Sequence, residues 1–197
     1  MEHQGTPGCR ISGKLLIGGR KTYKEEAAGR DLNVFVDQLP ESLRWFFHER
    51  FLPTGWYDAS CLETIQLEFA RWLEQDPGRV ARRLGGKTAY ENAGSVGRIL
   101  LSLFGSPQRV AKYLPDYWNR LYDSGVVKAD YDRTTGLLSI SIREWESHSP
   151  LMCLNPLGSI EEMSRRFREP RFLDGRRVAC VATGASECRY ELRYASV

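Results

Sequence analysis

PQRVAKYLPDYWNRLYDSGVVKADY, residues 107–131, is the stretch that decides the fold. Val110, Tyr113, Leu114, Tyr117, Trp118 and Leu121 recur at i, i+3, i+4, i+7, i+8 and i+11, so they share one stripe of a helix. Pro107 stands at the helix start and Gly125 just past its end, the positions each favours. A strand-like run, Val126 to Tyr131, follows at once. The joint shows how the domain is built: helices laid on a sheet.

Downstream, Leu137 to Arg143 pairs back across Asp132-Arg133-Thr134-Thr135-Gly136, a hairpin loop with glycine near its end. Asn155 to Phe167 reads as a helix with Leu157, Ile160, Met163 and Phe167 inward. Val178 to Ala182 and Cys188 to Tyr194 form a second hairpin around Thr183-Gly184-Ala185-Ser186. Tyr190, Leu192 and Tyr194 alternate with Glu191 and Arg193, the signature of a half-buried strand.

Upstream, residues 1–9 read as a flexible lead-in and Ile11 to Ile17 as a first strand. Thr22 with Glu25 has the spacing of a capping box for a helix to Ala28, stopped by Gly29. Two short helices follow, then Leu52-Pro53-Thr54-Gly55 as a turn. Ser60 to Glu74 is a helix with Leu62, Ile65, Phe69, Trp72 and Leu73 on its apolar face. Asp76-Pro77 starts the next, with a bend expected at Gly85-Gly86, and Ser95 to Phe104 precedes the opening helix. The expected class is α+β: a helical bundle on one face of an antiparallel sheet made by the N-terminal strand and two C-terminal hairpins. Residues 10–197 form one domain in this reading.

The totals exclude more than they assign. Across 197 residues, 28 Lys and Arg against 25 Asp and Glu leave a net charge of +3, too even for a nucleic-acid-binding face. Arg79, Arg82 and Arg83 on one helix read as a solvated face. No apolar run approaches the ~18 residues of a membrane span, and MEHQGTPGCR lacks the apolar core of a signal peptide. The expected location is the cytoplasm. Cys9, Cys61, Cys153, Cys180 and Cys188 are scattered, without CxxC pairs, and do not describe a secreted disulfide scaffold.

Local motifs name no chemistry. Gly86-Lys87-Thr88 resembles the tail of a phosphate loop, but position 81 is Ala and the preceding residues are helical. His148 and Cys153 are near in sequence, yet a zinc site needs further ligands at suitable spacing, which Cys61 or Cys180 and Cys188 supply only through long-range folding. No metal is expected on that ground. Cys180 and Cys188 face each other if the last turn centres on Gly184, and the plain reading is two small buried residues. Asp130 and Asp132 are turn-forming acids before Arg133-Thr134. No GxSxG nucleophile motif is present in the sequence.

The order of pieces nevertheless resembles a known family. The residues concerned are Ile11-Ser12-Gly13-Lys14-Leu15-Leu16, Tyr23, Leu39-Pro40, Gly55-Trp56-Tyr57, Gly85 with Tyr90, Ser106-Pro107, Trp118 and Tyr122-Asp123-Ser124-Gly125. Cys188 to Tyr194 closes the series. They resemble the uncharacterised bacterial paralogues expanded in Myxococcus and its relatives, a family similar to the 4-vinyl reductase domain and more remotely to haem–nitric-oxide-binding and Golgi-transport ligand-binding domains. The resemblance implies an apolar cavity between helices and sheet that senses or carries a small apolar ligand. The haem-binding relatives use a proximal His and a Tyr-x-Ser-x-Arg motif; here Tyr194-Ala195-Ser196 runs into the terminal Val197, so haem does not carry over and no cofactor is expected.

The function expected from the resemblance is a non-enzymatic regulatory or sensory domain. Its cavity, of about 300 Å³ or more, is expected to be walled by Trp56, Tyr57, Phe69, Trp72, Tyr90, Tyr117 and Trp118. The alternative is a protein-interaction or homodimerisation module, with the 107–124 stripe or the apolar face of 60–74 partly exposed.

Overall fold

The computed structural model describes residues 8–195; most of the N-terminal lead-in lies outside the described residues. The chain is α+β, as its sequence order implies. Strand β3 (Val126–Asp132), β4 (Leu137–Arg143), β5 (Phe172–Ala179) and β6 (Cys188–Tyr194) form an antiparallel sheet in the order β3-β4-β6-β5, so the two hairpins share one sheet. Leu138, Ile140 and Ile142 of β4 and Tyr190 and Leu192 of β6 are buried on its inner face. The first hairpin loop closes as its acids require: Thr134 N–H donates to Asp132 Oδ1 at 2.8 Å and Thr135 Oγ1 donates to Oδ2 at 2.7 Å.

The N-terminal strand does not join this sheet. β1 (Arg10–Ser12) pairs with β2 (Trp56–Asp58) in a separate two-stranded ribbon, Ile11 opposite Tyr57. Gly13 N–H donates to the Gly55 carbonyl at 2.8 Å, and a β-carbon on Gly13 would overlap the Leu52 carbonyl. The chain turns there into helix α1 (Gly13–Glu26), which takes up Leu15, Leu16 and Ile17. Thr22 lies inside α1, its Oγ1 donating to the Gly18 carbonyl at 3.0 Å, and so caps nothing.

Helices α2 (Leu32–Gln38), α3 (Glu41–His48) and α4 (Leu62–Trp72) close the N-terminal half. Ser60 does not cap α4; it binds both oxygens of Asp58 instead. The apolar face of α4 is buried through Leu62, Ile65 and Phe69, so this face is not available to a partner. No helix among the described residues is long and apolar enough to cross a membrane.

Helix α5 (Pro77–Phe104) carries the cap expected at Asp76, whose Oδ1 accepts from Arg79 N–H at 2.8 Å. It does not bend at Gly85-Gly86. Those glycines let α7 (Leu154–Ser164) cross against the α5 backbone: a β-carbon on Gly85 would meet Asn155, and one on Gly158 would overlap the Arg82 carbonyl. Arg82 then pairs with buried Glu161 and donates to the Gly175 carbonyl of β5 at 2.9 Å, tying α5, α7 and sheet together. The break falls instead at Gly94, with φ 64° and ψ 175°. No atom lies within 4 Å of a β-carbon placed there. Gly94→Ala is therefore expected to lose about 1–3 kcal/mol from backbone strain alone, read as a lowered urea midpoint with unchanged slope. A variant as stable as the parent would show that the break is not required.

Candidate functional site

Helix α6 (Pro107–Trp118) begins as its sequence specifies, Ser106 Oγ accepting from Arg109 N–H at 3.3 Å and Pro107 in the first turn. Its stripe does not pack flush on the sheet. Between α6, α7 and Ile142 of β4 lies a cavity of about 480 Å³. Val110, Leu114, Tyr117 and Trp118 form one wall, and Pro156, Ile160, Met163 and Phe167 another. Leu15, Leu121 and Tyr122 complete the inner end. Gly97 and Leu100 of α5 and Tyr113 of α6 also line it; Leu100 and Tyr113 are about half exposed, placing the mouth between these helices.

The polar groups of the wall are largely spoken for. Trp118 Nε1 donates to the Ser124 carbonyl at 2.9 Å, leaving its ring as an apolar surface. Ser159 Oγ lies 2.9 Å from both the Gly85 and Asn155 carbonyls. Burial pushes the Tyr117 and Tyr122 phenols up, away from ionisation. Ser106 and the cationic Arg109 also belong to the lining; the rest of the wall offers apolar contact and little hydrogen bonding.

Of the seven aromatic residues expected on the wall, the structure places Tyr117 and Trp118 there. Phe69 and Trp72 belong to a solid N-terminal aromatic group: Phe69 meets Tyr23 at 4.7 Å, Phe35 at 5.1 Å and Trp72 at 5.7 Å between centroids. Tyr57 packs on Phe51 at 4.8 Å and its hydroxyl accepts from Leu52 N–H. Trp56 stands 40% exposed on β2. Tyr90 lies between the guanidiniums of Arg98 and Arg166, at 4.6 and 4.5 Å, over a charged groove between α5 and α7. The rings therefore divide into separate groups, because α4 turns its stripe toward α1 and α2 and not toward the sheet. Ile160, Met163 and Phe167 were missed as wall residues, although their helical spacing marks them as facing inward.

Next to the cavity lies a cluster of thiols and an imidazole. Cys188 Sγ is 3.1 Å from Cys153 Sγ, 3.2 Å from His148 Nδ1 and 3.6 Å from Cys180 Sγ. His148 Nδ1 is also 3.2 Å from Cys153 Sγ. None of the five cysteines is in a disulfide. The β5–β6 ladder ends at Ala179 opposite Arg189, which sets Cys180 and Cys188 across from each other, as a turn centred on Gly184 requires. Cys188 is held well below the usual thiol range, chiefly by its contact with Cys153 and further by His148, the Val181 N–H and Cys180, against burial. Its partner Cys153 is pushed up, by that same contact and by burial. Trp145 links the cluster to the cavity wall, its ring 5.4 Å from His148 and 5.1 Å from Trp118.

No protein-family model matches the chain. No curated protein matches it either. Solved structures share its fold. An H-NOX protein from S. oneidensis in the Fe(II)NO state superposes with a TM-score of 0.67 at 13% identity, covering 94% of this chain and 99% of that one. An oxygen-binding H-NOX domain related to soluble guanylate cyclases gives 0.67 at 14%, covering 93% and 95%. Fe(II) unliganded H-NOX from K. algicida gives 0.65 at 8%, covering 95% and 98%. The chain thus has the fold of haem–nitric-oxide-binding domains, one of the families in the resemblance drawn from its motifs.

That fold implies haem, and the residues of this cavity do not fit it. Among the described residues, its lining contains no His and no Cys. His148 directs Nδ1 into the thiol cluster, and His48 is exposed at the end of α3. Tyr194, where the Tyr-x-Ser-x-Arg motif would begin, shares a 2.6 Å hydrogen bond with Ser164 Oγ and does not line the cavity.

Proposed function

We propose that residues 10–197 form a haem-free sensory or regulatory domain that takes a small apolar molecule into the cavity between α6, α7 and the sheet. The largely apolar cavity of about 480 Å³, walled by Tyr117 and Trp118 and without His or Cys among its described lining residues, carries this reading. Its volume falls in the range of small-molecule sites, roughly 300–1,000 Å³. The H-NOX fold supports it by analogy, since structures of that fold are described in an Fe(II)NO ligation state and as an oxygen complex. The test is titration with an environment-sensitive apolar fluorophore. Saturable one-to-one binding that quenches tryptophan emission is expected. Leu114→Trp, which narrows the cavity with an indole, should weaken binding by about tenfold or more, the loss of roughly 1.4 kcal/mol, while the urea midpoint stays near that of the parent. Equal binding by parent and Leu114→Trp would remove the reading.

A second reading rests on one observation. Beyond Gly94, α5 exposes Val96, Ile99, Leu100 and Leu103, and Tyr113 of α6 stands beside the same mouth. A homodimer or protein partner would cover this face. Light scattering across a concentration series tests self-association: a monomer throughout argues against the homodimer.

A further inference from the structure

We propose that the charged groove between α5 and α7 is a binding site for the phosphate group of a small phosphate monoester. Three observations carry it. The first is charge. Arg83 and Lys87 of α5 both pair with Glu26 of α1. Arg82 of α5 pairs with Glu161 of α7, which Arg165 approaches at 3.8 Å. Arg165 and Arg166 both pair with Glu162, at 3.5 and 2.5 Å. Five cations thus share three carboxylates and leave two positive charges over, most of the net +3 of the whole chain. Glu25 and Glu91 also line the groove and are matched by Lys21 and Arg98. A phosphate monoester brings a charge of about −1.5 to −2 near neutral pH, which fits the surplus.

The second observation is layering. The Glu26 and Glu161 side chains are 7% and 1% exposed, whereas the five cations are 37–52% exposed. The carboxylates lie beneath, and the groove presents guanidinium and ammonium groups to solvent. Guanidiniums held from below have less rotamer freedom to lose on binding, and their planar fork suits phosphate oxygens. The third is room. The groove encloses about 580 Å³, enough for a phosphate and the organic body that carries it. Lys87 belongs to the Gly86-Lys87-Thr88 run, yet no phosphate loop forms there. Thr88 is buried with its Oγ1 3.2 Å from Thr22 Oγ1, and Gly86 packs toward the Gly158 carbonyl. The groove therefore offers side-chain cations and not a cradle of backbone N–H groups. Helix α7 gives Ile160 and Met163 to the apolar cavity and Glu161 and Glu162 to the groove, so the two sites are distinct.

The experiment is isothermal titration calorimetry of the full chain with a nucleoside 5′-monophosphate, and with the same nucleoside lacking phosphate, at constant ionic strength. One-to-one binding of the monophosphate with Kd of about 1 mM or tighter is expected, and no binding of the nucleoside. Lys87→Gln combined with Arg166→Gln leaves Glu26 paired to Arg83 and Glu162 to Arg165, so the carboxylates stay matched while the surplus is removed. This double variant should weaken the monophosphate by about tenfold or more. Lys112→Gln combined with Arg120→Gln removes the same net charge in and just after α6 and should bind as the parent does. If the groove double variant does not fold, Arg166→Gln alone supplies the comparison, with a loss of about threefold or more. The fluorophore titration of the apolar cavity is expected to be unchanged in the groove variants, so the failure of one site is distinguishable from that of the other. No binding of the monophosphate, equal affinity for the nucleoside, binding undiminished in the groove variants, or an equal loss in the Lys112→Gln, Arg120→Gln control overturns the proposal.

Discussion

Replacing Phe69 by alanine is expected to remove about 4 kcal/mol of unfolding free energy and leave fluorophore affinity of the folded fraction unchanged. Phe69 is fully buried and meets the rings of Tyr23, Phe35 and Trp72. Truncating a phenylalanine in such a place loses the transfer free energy of the ring and leaves a hole that rigid neighbours cannot close. Tyr23, Phe35 and Trp72 are held by further ring contacts to Phe46 and Phe47 and by Arg30 over Trp72, so little collapse follows. Urea unfolding monitored by circular dichroism gives the stability, and titration below the transition gives the affinity. A folded Phe69→Ala that keeps most of its stability but loses the fluorophore would return Phe69 to the ligand wall and undo the division between aromatic groups.

Gly158→Val is expected to lose roughly 4 kcal/mol or to prevent folding. A valine there strikes the Arg82 carbonyl, a backbone atom that cannot rotate away. Overpacking alone costs about 1–3 kcal/mol. Forcing α5 from α7 also separates Arg82 from buried Glu161, and an uncompensated buried charge costs about 3–5 kcal/mol when its partner is removed outright. Arg165, 3.8 Å from Glu161, offsets part of that. Gly97→Ala is the control, because its β-carbon meets only Ala93 at 3.4 Å. A Gly158→Val protein within 1 kcal/mol of the parent would show that the crossing is looser than the structure makes it.

Where local chemistry was decisive, the sequence was legible. Ser106-Pro107, Asp76 and Asp132 each satisfied the backbone groups their side chains could reach, so two helix starts and one hairpin followed from neighbours in the chain. Leu15-Leu16-Ile17 was not decided locally: a three-residue apolar run suits helix or strand, and the Gly13 contacts with Leu52 and Gly55 chose helix. The bend expected at Gly85-Gly86 failed for a related reason. A glycine pair marks either flexibility or close approach, and only the position of α7 shows which.

By itself, then, the sequence determined the α+β class, the α6 stripe and its joint with the sheet, and the pairing of the last hairpins. Each rests on periodicity or turn stereochemistry that acts over a few residues. The tertiary structure alone decided that Tyr117 and Trp118 line a cavity while Phe69 and Trp72 fill a core, and that His148, Cys153, Cys180 and Cys188 meet. A ring has the same pattern whether its stripe meets a gap or a neighbour. Side chains from three segments acquire a common geometry only when the sheet and α7 have set the distances between them.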